Sequence, residues 1–137
     1  MAKIEGGCSC GKVRYSSDAD PIFTGLCHCR TCQKITGSSF SVVLAVPAAA
    51  LSVTGEVKVF DNKGDTGQLV HSTFCPNCGS PVLTAADIMP DVVMIRAGTL
   101  DDPSSLKPTM EIYCDSKQPW VSLGGGLQSF PKMPGPG

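Results

Sequence analysis

Apolar and polar residues alternate along this chain in short stretches, a period that predicts strands rather than helices. The stretches fall near residues 12–16, 39–46, 51–54, 56–61, 71–75, 92–98 and 110–114. Asp61-Asn62-Lys63-Gly64 and Asp101-Asp102-Pro103 supply turn chemistry between them. A single short helix is predicted over 30–36, with Gly37 placed to end it in a left-handed cap. No long amphipathic helix, whole-unit repeat, P-loop or dinucleotide fingerprint is present. The expected class is mainly β, one domain over 1–133, with a flexible tail at 134–137.

With 137 residues the chain can bury one core, yet it is small enough to gain from a staple. The formal net charge is −1 with no run of Lys or Arg, which argues against nucleic acid as a partner. Apolar runs such as Val42-Val43-Leu44-Ala45-Val46 fall far short of the roughly 20 residues of a membrane span. Residues 1–7 lack the apolar stretch of a secretory signal, so a cytoplasmic location is expected.

Seven of the eight cysteines cluster: Cys8-Ser9-Cys10, Cys27-His28-Cys29-Arg30-Thr31-Cys32 and Cys75-Pro76-Asn77-Cys78. In a reducing compartment such clusters favour metal over disulfides, with a redox dithiol as the alternative. A structural zinc takes four protein ligands, whereas a reactive one takes three and keeps an open position. Cys75-Pro76-Asn77-Cys78-Gly79 has the form of a zinc knuckle at a strand end, and Cys8 and Cys10, followed by Gly11 and a strand, are its expected partners. That leaves Cys27, Cys29 and Cys32 as an open site, formally −1 on Zn²⁺ and better suited to binding an incoming thiolate than to activating water.

Arg30 and Lys34 lie one helical turn apart, placed to screen that charge and attract a carboxylate, or simply to be solvated. His28, between two ligands, is open to a role as fourth ligand or proton relay, but neighbouring side chains on an extended strand point apart. Packing is expected for His71, and the role of a small buried hydrophobe for Cys114, with a site-lining thiol as the alternative.

Gly7-Cys8-Ser9-Cys10-Gly11-Lys12-Val13-Arg14-Tyr15, the middle cluster through Thr36-Gly37-Ser38-Ser39-Phe40, and Phe74 to Ser80 together resemble the glutathione-dependent formaldehyde-activating enzyme family, which includes centromere protein V. Gly98-Thr99-Leu100-Asp101 and Lys117-Gln118-Pro119-Trp120 are similar to its weaker later signatures. The resemblance implies an Mss4-like zinc-containing β-fold and two Zn²⁺ per chain. It places a structural zinc on Cys8, Cys10, Cys75 and Cys78 and a second zinc on Cys27, Cys29 and Cys32. It also implies a carbon–sulfur lyase-type activity, joining a small thiol such as glutathione to formaldehyde or another small aldehyde. A non-catalytic protein-binding or chaperone-like module is the competing reading, resting on the absence of an evident acid–base dyad.

Overall fold

The computed structural model describes residues 4–64 and 67–134; residues 135–137 of the expected tail lie outside the described residues. The elements run β1 (Ile4–Gly7), β2 (Arg14–Ser17), β3 (Phe23–Cys27), α1 (Arg30–Thr36), β4 (Ser41–Pro47), β5 (Leu51–Thr54), β6 (Lys58–Lys63), β7 (Leu69–Phe74), β8 (Pro81–Ala86), β9 (Val92–Arg96), β10 (Met110–Ile112) and β11 (Gln128–Ser129). The expected mainly-β class with one short helix is what the chain adopts. Every stretch predicted from alternation carries a strand.

Four strands escaped that pattern. β1 reads Ile-Glu-Gly-Gly, β8 opens on Pro81 and closes on two alanines, and β11 is two residues long. β3 carries Gly25 at its centre, where a Cβ would stand 2.9 Å from the Met110 side chain. That close approach of β10 is what the glycine permits.

Two sheets result. Strands β1, β2 and β5 form a three-stranded antiparallel sheet, and the other eight run in the order β11-β10-β3-β4-β9-β8-β7-β6. The larger sheet is antiparallel except where β10 pairs with β3 and β11. Val13 and Tyr15 beside the small sheet pack with Leu44, Val46, Val82, Leu83 and Ile95 of the large one, and Cys8 and Cys75 belong to the same apolar cluster. The small sheet also meets the turn that follows β9, where Gly6 bridges to Leu100 and the Tyr15 hydroxyl lies 2.7 Å from Thr99 Oγ1. No helix among the described residues is long and apolar enough to cross a membrane.

α1 forms as the sequence predicts. Cys29 caps its start by accepting the Cys32 N–H, and Gly37, at φ 64°, closes its end with an N–H to the Gln33 carbonyl. The helix leaves β3 at Cys27 and returns the chain to β4 at Ser41, directly opposite Cys27 in the sheet.

Candidate metal centres and the adjoining cleft

Cys8 and Cys10 leave β1, Cys75 and Cys78 occupy the turn from β7 to β8, and their four sulfurs lie within 4.8 Å of one another. Cys8 Sγ to Cys10 Sγ is 3.5 Å, and Cys10 Sγ to Cys75 Sγ is 3.7 Å. A disulfide would bring two sulfurs to about 2.05 Å, whereas four sulfurs at about 2.3 Å from one tetrahedral ion stand about 3.8 Å apart. The spacing fits an ion and not a bridge, and all eight cysteines are free. Backbone geometry supplies what thiolates need, since the Val13 N–H donates to Cys8 Sγ at 3.2 Å. The Ser80 side chain and backbone draw Cys78 down to about 5. A metal held here ties the small sheet to the large one.

Cys27, Cys29 and Cys32 form a second group with sulfurs within 4.8 Å of each other. Cys27 is the last residue of β3, Cys29 is the helix cap and Cys32 sits in the first turn. Three thiols this close cannot ionise alike. Interaction with Cys29 and Cys32 pushes Cys27 far above the usual thiol range, while Cys27 and Cys29 draw Cys32 down to about 2, with help from the Arg96 charge. A bound dication removes that conflict by holding all three as thiolates.

His28 stands apart from these three sulfurs. Its side chain turns to the other side of the strand, is fully buried, and places Nε2 2.8 Å from Glu111 Oε1. Phe40 meets the ring edge-on at 5.4 Å. Glu111, also buried, accepts from Lys117 Nζ at 3.1 Å and from the Ser129 hydroxyl at 2.8 Å. The structure therefore contains the buried acid–histidine pair that the sequence did not disclose. Cys114 lies outside both cysteine-only groups, half-buried beside this pair with Sγ 3.7 Å from the Glu111 carbonyl. His71 departs from its expected packing role. It is partly exposed on β7 and bridges Asp61 Oδ1 at 2.6 Å and Asp87 Oδ1 at 2.7 Å, because alternation puts it opposite Asp61 on the solvent side.

Gln33, buried one residue beyond Cys32, ties the start of the helix to residues 116 and 118. Its amide donates to the His28 carbonyl at 2.7 Å and the Ser116 carbonyl at 3.1 Å, while Gln118 Nε2 and the Arg30 guanidinium donate to its Oε1. Around it opens a cleft of about 380 Å³ lined by Arg30, Lys34, Ser38, Gln118 and Trp120 among others. Trp120 is 71% exposed, so a large apolar face stands open beside two cations among the described residues. Lys34 makes no ion pair among the described residues. The arrangement suits a small, anionic organic molecule.

A family profile described as glutathione-dependent formaldehyde-activating enzyme matches residues 3–116. The chain belongs to that family. Two curated relatives carry the same name provisionally. A protein of Emericella nidulans is 33% identical over 80 residues, covering 56% of this chain and 39% of its own length. A protein of Halomonas elongata is 25% identical over 126 residues, covering 88% of this chain and 80% of its own. A crystal structure of a Rhodobacter sphaeroides protein shares the fold, with TM-score 0.58 at 18% identity over 76% of this chain and 91% of that one.

Within this member of the formaldehyde-activating family, the sequence pointed to the seven clustered cysteines, and the structure gathers them as four and three. It gave no role to Gln33, Glu111, Ser41 or Arg96. For Glu111 and Arg96 a signal existed: each is a lone charge in or at the end of an apolar strand, Met110–Ile112 and Val92–Arg96. Such charges stay buried only with a partner.

Proposed function

We propose that this protein is a zinc-dependent carbon–sulfur lyase-type enzyme that adds glutathione, or a similar small thiol, to formaldehyde or another small aldehyde. The observation that carries it is the unequal grouping of the cysteines, four in one group and three in the other, with a cleft lined by Arg30, Gln33 and Lys34 of the helix that carries Cys32. Cys8, Cys10, Cys75 and Cys78 would hold a structural zinc, and Cys27, Cys29 and Cys32 a second one with a position left for a ligand. Zinc at that second site supplies a seat for sulfur as thiolate and Lewis acidity toward the aldehyde oxygen.

The chain's own residues do the rest. Arg30 and Lys34 attract a carboxylate of the thiol, and Trp120 covers its apolar part and keeps water away. Gln33 fixes the loop through Cys27 and Cys29 against residues 116 and 118, so that both reactants meet a prearranged site. In the addition the sulfur–carbon bond forms and the carbonyl π bond opens. The proton released by the thiol ends on the former aldehyde oxygen, giving an S-hydroxymethyl adduct. Residues 1–133 work as one domain, and a reducing cytoplasm is the compartment in which these thiols stay free.

Exchange NMR on glutathione–formaldehyde mixtures tests the reading. Zinc-loaded protein accelerates exchange, and Cys29→Ser removes the acceleration along with one of two zincs while the fold remains. No acceleration by the wild-type protein, or unchanged acceleration in Cys29→Ser, overturns it.

A further inference from the structure

Arg96 is the last residue of β9 and only 6% exposed, yet its Nε and Nη1 have no hydrogen-bond partner among the described residues. It belongs to no ion pair among them either. A guanidinium taken out of water without a counter-charge is costly, and folded chains keep one buried only where an anion meets it. The sheet register shows where that anion belongs. Arg96 pairs with Val43 on β4, and Ser41, two residues earlier on the same strand, pairs with Cys27. Paired residues, and residues two apart on a strand, share a face. Arg96, Ser41 and Cys27 therefore lie on one face of the large sheet, the face on which the three sulfurs gather. Ser41 is buried too, and its hydroxyl has no hydrogen-bond partner among the described residues. Buried donors without partners thus converge on one side of the three-cysteine group.

We infer that Arg96 is the charge partner of the three-cysteine centre, a positioning residue that makes the centre prefer an anionic fourth ligand over a neutral one. Three thiolates on a dication carry a net −1, and an anionic fourth ligand raises this to −2. A permanent cation behind the centre offsets the added charge, and its free N–H groups have no competing acceptor to give up. The exposed Arg30 and Lys34 act differently: they steer a carboxylate on the open side, where water screens them. The inference rests on the open, three-ligand reading of this centre but not on the identity of the thiol or the aldehyde.

Cobalt(II)-loaded protein, followed by its visible absorption, provides the test, with azide as anionic probe and imidazole as neutral probe. In Arg96→Met, azide affinity falls about tenfold or more, the loss expected for a hydrogen bond to a charged group in a buried site. Imidazole affinity stays within about threefold, and Arg96→Lys restores most of the azide affinity, which a purely structural role for the side chain would not do. Equal azide binding by wild type and Arg96→Met overturns the inference, as does a parallel loss of both probes. A wild-type centre that takes up neither probe overturns it together with the open-site reading. The azide preference without glutathione–formaldehyde exchange leaves Arg96 in this role and sinks only the proposed reaction.

Discussion

Glu111 holds His28 Nε2 at 2.8 Å in a site where both side chains are buried. The bond reaches from the centre of β10 to the residue between Cys27 and Cys29, so a strand near the end of the chain sets the orientation of a ligand loop near its start. Glu111→Gln keeps the shape but removes the charge that faces Lys117 and His28. The expected cost is about 1.5–3 kcal/mol in denaturant unfolding. Zinc affinity at Cys27, Cys29 and Cys32 should weaken roughly tenfold or more in chelator competition, as for other groups that orient a ligand from behind.

The two cysteine groups should respond differently to metal removal. A chelator is expected to strip the three-cysteine centre first, with the sheet signal in circular dichroism kept. Loss of the second metal should collapse the fold, because a structural zinc contributes about 10–16 kcal/mol of apparent binding energy, comparable with the stability of a whole domain. Cys10→Ser should show no cooperative thermal transition, whereas Cys29→Ser should keep one.

His71 gives a pH dependence with a definite sign. Its bonds to Asp61 and Asp87 favour the protonated ring and raise its value in the folded chain. The unfolded value is about 6.5. The stabilisation is therefore complete below about pH 6.5, and it fades as pH rises through the raised folded value. Thermal midpoints of wild type and His71→Gln should differ most near pH 5.5 and converge at alkaline pH. A gap that widens with pH would contradict the ion bridge.

Gly6 is pressed between Tyr15 of its own sheet and the turn that follows β9. A Cβ there would stand 2.3 Å from both the Thr99 carbonyl and the Tyr15 hydroxyl. Backbone on one side cannot yield cheaply, so Gly6→Ala should cost about 1–3 kcal/mol. Loss of the 2.7 Å Tyr15–Thr99 contact should accompany it, visible as a change in tyrosine near-ultraviolet dichroism. Gly124→Ala, where a Cβ meets nothing within 4 Å, is the neutral control.

The cleft can be probed by choice of thiol. Replacing Arg30 and Lys34 together by Ala should raise KM for glutathione about tenfold, with kcat little changed. It should leave 2-mercaptoethanol, which has no carboxylate, nearly unaffected. Raising the salt concentration should reproduce part of the effect in the wild type, since both cations are exposed.

What the sequence disclosed was local. The spacing within each cysteine cluster, the left-handed cap at Gly37 and the alternation through β4 and β7 all follow from neighbours a few residues apart. That neighbouring side chains on an extended strand point apart is equally local, and His28 turns from Cys27 and Cys29 toward Glu111. Its partner Glu111 lies 83 residues away, and no local period announces such a pairing. Arg96 comes to share a sheet face with Cys27 only through the β3–β4–β9 register. β3 was hidden because Gly25 breaks its apolar pattern, for a reason that lies on β10.

The two cysteine groups also differ in how much chain each must gather. Cys27, Cys29 and Cys32 span six residues and need only one strand end and one helical turn. The other group closes a loop of 65 residues between Cys10 and Cys75, which carries a larger closure entropy and forms more slowly. During synthesis the compact trio emerges complete while Cys8 and Cys10 still wait for Cys75. Metal bound early would therefore go to the trio, and the four-cysteine group would close last. Under metal shortage, newly made chains would carry a loaded trio on an unfinished fold and would be the copies exposed to proteolysis, so the supply of the ion would set how much protein survives.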